Sequence, residues 1–189
     1  DLSVLNESQH LTLHRTLQIA LNRFGRPEDE MVEKLIAKFD PLFPAKTAEQ
    51  NWLLCETLAW LQSPTVAAKA MGLIAAAPAQ EEQMQYARSI RFLTAGWTPE
   101  LHTAYFEWFL KAANYKGGAS FEKFIEFIRN DSLATYTDAE KKEHAELIAR
   151  KPVRKSAIEL SGEIFTGRTP TMWKLEDRGH FFIDVQEPI

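Results

Sequence analysis

The chain has 189 residues, with Lys plus Arg at 22 against Asp plus Glu at 26, for a formal charge of −4 and a hydrophobic content of 45%. One cysteine excludes an internal disulfide, a four-thiolate zinc site and a CxxCH haem attachment. The acidic balance argues against general nucleic-acid binding, no run of about 18 apolar residues marks a membrane span, and the 8 glycines form neither GxGxxG nor a P-loop.

The segments then repeat one pattern of cap, amphipathic run and break. Asn6 with Gln9 forms a capping box for a helix from residue 7 to Phe24, which Gly25 closes. Pro27 opens a helix to about Phe39, and Pro41 and Pro44 break the chain. Thr47 with Gln50 forms a second capping box, for a helix to about Gln62, and Ser63-Pro64 opens one to Ala77. The next runs from about Ala79 to Thr94 and is closed by Gly96. Thr98-Pro99 begins a helix to Tyr115, Ser120 caps one to about Ser132, and Thr137 with Glu140 boxes one to about Arg150.

This predicts eight helices and an all-α fold. Taken in pairs, the first members start near 7, 48, 79 and 121, spaced 41, 31 and 42 residues apart. Hairpins at that period predict a right-handed α-solenoid of the HEAT or armadillo kind over residues 1–150, with an irregular helical bundle as the structural alternative. The 64–77 helix is apolar nearly all round, with Lys69 its one charge, which predicts an inner helix covered on several sides. The polar 137–150 helix reads as a solvated cap. After Arg150 the helical period is lost. Residues 151–189 read as an extension or linker that packs along the solenoid, with short extended pieces at 158–160 and 181–185. Lys151, Arg154 and Lys155 read as its solvated charges. Asp1 in place of a start methionine, with no visible signal peptide, predicts a processed product or a piece of something longer.

Several segments in the middle of the chain carry a family resemblance. They are residues 51–64 (Asn51-Trp-Leu-Leu-Cys-Glu-Thr-Leu-Ala-Trp-Leu-Gln-Ser-Pro64), 81–87, 91–98 (Arg91-Phe-Leu-Thr-Ala-Gly-Trp-Thr98), 105–109, 117–121 and 128–134. Together they resemble the HEAT-like helical segment of large bacterial secreted multidomain proteins. That segment lies between a propeller-type, dehydrogenase-like region and a c-type cytochrome domain. Trp173-Lys-Leu-Glu-Asp177 is similar to the stretch leading toward the cytochrome. The resemblance implies a periplasmic or secreted location and neighbouring domains as partners, a cytochrome c or dehydrogenase-like domain among them. It transfers no catalytic residue and no cofactor, since the cytochrome's CxxCH is absent from these residues.

The residues themselves offer few chemical candidates. His10 and His14, at i and i+4, are the best metal-like pair, with Glu7 the nearby acid, and the helical wheel places both at the rim of the buried stripe. Cys55 reads as a structural thiol. Glu28-Asp29-Glu30 and Glu81-Glu82 sit in first turns, where carboxylates suit the helix dipole. The aromatic group Trp97, Tyr105, Phe106, Trp108, Phe109 and Tyr115 is denser than one buried stripe requires. It reads either as packing on two sides or as an exposed patch, led by Trp97, Tyr105, Phe106 and Trp108, that binds a partner. The function expected is a non-catalytic scaffold or protein-interaction module. The alternative is a part of a redox assembly that lends residues to a cofactor or substrate pocket shared with a neighbour.

Overall fold

A computed structural model of the protein describes residues 2, 4–118, 120–155 and 159. The chain divides into two compact units, Asp1–Val153 and Arg154–Ile189. In the second, only residues 154, 155 and 159 are described, so the piece expected at 181–185, the 173–177 stretch, and Ile158 and Leu160 lie outside the described residues.

Among the described residues the first unit is all-α. Its helices are α1 (Glu7–Phe24), α2 (Asp29–Phe39), α3 (Ala48–Trp60), α4 (Val66–Ala76), α5 (Gln80–Ser89), α6 (Pro99–Ala112), α7 (Phe121–Thr135), α8 (Asp138–Glu143) and α9 (Ala145–Ala149), with a 3-10 turn at Asp40–Leu42. The caps explain most of the boundaries. Asn6 and Gln9 close a reciprocal box at α1, Thr137 and Glu140 do the same at α8, and the Thr98 side chain accepts from the Leu101 N–H at α6. Gly25 ends α1 at a φ of 81°, a conformation that glycine adopts without a Cβ penalty.

Several details differ from expectation: α5 ends at Ser89 rather than near Thr94, so Gly96 does not close it, and α6 ends at Ala112 rather than Tyr115. The cap at Thr47 is one-sided, accepting from Gln50 N at 3.5 Å without a return bond. The last predicted helix is two, α8 and α9, because the chain bends at His144, whose ring turns into the interior. Ser63 does not cap α4, which starts at Val66 after Thr65. The Ser63 hydroxyl donates instead to Asp40 Oδ1 at 2.9 Å.

Asp40 is a polar knot between the 3-10 turn and α4. Thr65 also donates to its carboxylate, and Lys69 Nζ reaches both Oδ2 and the main-chain oxygen at 2.7 Å. Burial works to raise the Asp40 pKa. The bonds from Lys69, Thr65 and Ser63 outweigh it and hold the carboxyl below its ordinary range. The one charge on α4 is therefore paired. The helix itself is not covered all round: Val66, Ala67, Ala70, Met71 and Ile74 are buried, while Ala68, Gly72, Ala75 and Ala76 are exposed. Its apolar outer face is made of the smallest residues, so little apolar area meets water.

The core is continuous from α3 to α7. Leu54 and Leu58 of α3, Ala67 and Ile74 of α4, Ala87 of α5, Phe106 and Phe109 of α6 and Ile128 of α7 belong to one buried cluster. α1 packs on α3 and α3 on α5; α4 packs most closely on α5 and also on α6; α6 meets α7 and α9. Two connections are laced together. Gln62 Nε2 donates to Phe92 O at 3.1 Å, and its Oε1 accepts from Thr94 N at 2.8 Å and Thr94 Oγ1 at 2.9 Å. Beside them Gly96, at φ 74°, leaves room for Pro64: a Cβ at 96 would lie 1.9 Å from the Pro64 carbonyl oxygen.

Candidate functional site

Two places gather chemistry-bearing side chains. The first is a cleft of about 420 Å³ where α1 faces the 44–47 connection and the first turns of α3. Glu7, His10 and His14 come from successive turns of α1, Leu42 from the 3-10 turn, and Gln50 and Leu54 from α3. Asn51 pins the opposite wall by accepting from Ala45 N at 2.6 Å and donating to Ala45 O at 3.1 Å. The structure corrects the expected position of one histidine. His10 is half-buried, but His14 is 1% exposed rather than at the rim, because Phe39 packs edge-on against its ring at 5.1 Å. His10 stacks on His14 at 6.0 Å. Among the described residues no three His, Cys, Asp or Glu side chains are grouped to hold a metal ion.

The second place lies between α6 and the α8–α9 bend. The ring of His102 is sandwiched by Trp97 at 4.8 Å, with planes 12° apart, and lies 5.3 Å from His144 and 4.4 Å from Tyr136. The Tyr136 hydroxyl shares a hydrogen bond with His102 Nδ1, and Glu140 Oε1 stands 4.0 Å from Nε2. His102, Tyr136 and His144 are all buried. Nothing in the spacing of residues 102, 136 and 144 marks this cluster; the one nearby signal is Trp97.

The expected exposed aromatic patch is corrected by the same packing. Tyr105, Phe106 and Trp108 are buried, and Trp97 is half-buried with its Nε1 donating to Leu93 O at 2.8 Å. Tyr105 donates to Ala87 O at 2.6 Å, Trp108 Nε1 to Gln83 Oε1 at 3.2 Å, and Phe106 meets Tyr136 at 5.7 Å. α6 is enclosed by α5 on one side and by the Tyr136 region on the other, so its aromatics are interior on both faces. Gln83 ties the arrangement together, also accepting from the Tyr115 hydroxyl and donating to Ala77 O at 2.8 Å.

The titratable groups show what these places do chemically. Burial pushes the Cys55 thiol up, with Glu56 adding to it, so this wholly buried side chain is not a thiolate nucleophile. Burial likewise pushes the Tyr86 phenol up to about 12. His14 is lowered from 6.5 by burial and then by His10; His102 is lowered by burial and then by His144, with Glu140 and Glu143 opposing. The fold thus accommodates neutral imidazoles, while the unfolded chain protonates near the ordinary value. Stability is therefore complete above the unfolded pKa and falls as pH drops through it toward the lowered folded values. The slope is at most about 1.4 kcal/mol per pH unit for each histidine. Denaturant titrations at steps between pH 8 and pH 5 measure this, and His102→Gln removes one of the two contributions. A stability unchanged across that range contradicts it. The Asp40 contribution has the same sign but lies lower, lost only as pH falls below its ordinary 3.8.

The described residues define an all-α protein whose buried polar groups knit helices together. No family model, curated protein or solved structure matches the chain.

Proposed function

We propose that the chain is a non-catalytic helical-repeat scaffold, a right-handed HEAT-like α-solenoid that holds neighbouring domains of a larger secreted protein along one surface. The observation that carries this reading is where the chemical side chains go. His102, His144, Tyr136, Tyr105, Trp108 and Asp40 each hold one helix against another. The contacts of α1 with α3, α3 with α5 and α4 with α6 support a stacked arrangement, although the closest packing of all is α4 on α5. Large apolar side chains remain outside: Ile19 at 49% and Trp60 at 41% exposure flank a groove of about 470 Å³ between α1 and α3, and Phe127 of α7 is 64% exposed. Exposed apolar groups beside a groove are what a partner-binding surface offers. The resemblance over about residues 45–177 suggests the partners, a c-type cytochrome domain or a propeller-type dehydrogenase-like domain.

Calorimetric titration of the purified chain with each of these domains tests the reading. Saturable binding is expected, weakened by Trp60→Ala or Ile19→Ala with the helical circular dichroism unchanged. Failure to bind either domain sinks the partner assignment. Haem uptake by the chain itself, lost in His10→Ala, points instead to a piece of a redox assembly.

A further inference from the structure

We propose that the cleft between α1 and the start of α3 binds a small organic monocarboxylic acid with an apolar body. Its volume of about 420 Å³ lies within the roughly 300–1,000 Å³ range of small-molecule sites. Leu5, Leu42, Ala45 and Leu54 supply an apolar wall. The Asn51 bonds to both polar groups of Ala45 hold part of that wall in place without a ligand.

The polar side is specific. His14 is almost wholly buried, and its Nδ1 has no hydrogen-bond partner among the described residues. A buried ring nitrogen left in this state costs about 1–3 kcal/mol. Its ring neighbours do not relieve it, since Phe39 is apolar and His10 is stacked face to face. A neutral imidazole carries one N–H and one acceptor, so it is suited to a carboxylate as a donor. Lys46 adds an ammonium to the same lining, and Thr47 places the N-terminal end of α3 there, where the helix dipole favours an anion. Glu7 is the one carboxylate in the lining.

These features discriminate among ligand classes. A cationic ligand meets Lys46 and the positive end of α3. A pure hydrocarbon fills the wall but leaves His14 and Lys46 with nothing. A carboxylate on an apolar body answers both halves.

Octanoate is a suitable probe, with octanol and octylamine as controls, titrated into the full chain by calorimetry while the imidazole resonances of His14 and His10 are followed by NMR. The expected result is saturable one-to-one binding of octanoate that moves the His14 resonance, with each control at least about tenfold weaker. His14→Gln is expected to weaken octanoate by about tenfold or more, and Lys46→Gln, at an exposed ammonium, by about two- to fivefold. Lys46 is exposed, so its variant keeps the test sound even if His14→Gln disturbs the fold. The proposal is overturned if octanoate fails to saturate in the millimolar range, if octanol binds as tightly, or if Lys46→Gln leaves the affinity unchanged. None of these outcomes bears on the scaffold reading, which rests on the α1–α3 groove and on other residues.

Discussion

Gly96→Ala is expected to destabilise the protein by about 2–5 kcal/mol, the sum of a left-handed backbone forced on a residue with a Cβ and an overpacked contact. The contact is with main chain: the added carbon would lie 1.9 Å from the Pro64 oxygen and 2.6 Å from its carbonyl carbon. No rotamer change relieves this, because neither partner is a side chain end. One of the two connections must move, and the Gln62 bonds to Phe92 and Thr94 that lace them are then strained or lost. Two other glycines serve as internal standards. Gly25, at φ 81° and ψ −171°, has open space around it in a region essentially reserved for glycine, so Gly25→Ala carries a backbone penalty alone, about 1–3 kcal/mol. Gly72 is helical with nothing within 4 Å, and Gly72→Ala is expected to stabilise α4 by about 0.5–1 kcal/mol. Urea denaturation of the three variants gives the order directly. A Gly96→Ala midpoint equal to that of Gly25→Ala shows that the two connections do not meet as described.

Phe106→Ala is expected to cost about 3–5 kcal/mol, the range for emptying a large aromatic from a packed core. Phe106 is 2% exposed, packs against Tyr136 at 5.7 Å and against Phe109 at 6.4 Å, and bridges α6 to the residues that follow α7. Phe127, one of the exposed aromatics of α7, provides the contrast: Phe127→Ala is expected to change stability by no more than about 0.5 kcal/mol, as surface substitutions do. The pair separates the two readings of the aromatic-rich segment. A partner-binding patch at Phe106 predicts normal stability and weakened association for Phe106→Ala. An interior residue predicts the reverse, a lowered denaturation midpoint and lost cooperativity at the α6–α7 end.

The helices were legible because their signals are local. Asn6 with Gln9, Thr98 before Pro99, and Thr137 with Glu140 each announce an end within four residues, and the described helices start within about two residues of those signs. The contacts that shape the sites are not local. Asp40 is joined to Lys69 across 29 positions, His102 to Tyr136 across 34, and Tyr105 to Ala87 across 18. Ser63 shows why even a good local sign misleads. A Ser before a proline satisfies the rules for a cap, but Asp40 competes for its hydroxyl and wins. His14 shows the same limit in the other direction. The helical wheel describes α1 alone, and the side chain is buried by Phe39, which lies at the end of a different helix. The density of aromatics around residue 106 was visible, but a helix enclosed on both faces and a helix with an exposed patch share that composition.

The lacing of Gln62 to Phe92 and Thr94, with Gly96 seated against Pro64, has a mechanical consequence. The α3–α4 corner and the α5–α6 corner meet through main chain at Gly96 and Pro64 and through the three Gln62 bonds, so displacing one corner strains the other. The α8–α9 end is fastened differently, through the His102–Tyr136 bond, the ring of His144 and the Arg129 guanidinium on Ile148 O. Protons taken up by His102, whose pKa burial and His144 lower, therefore loosen this end of the molecule and leave the Gly96–Pro64 corner untouched.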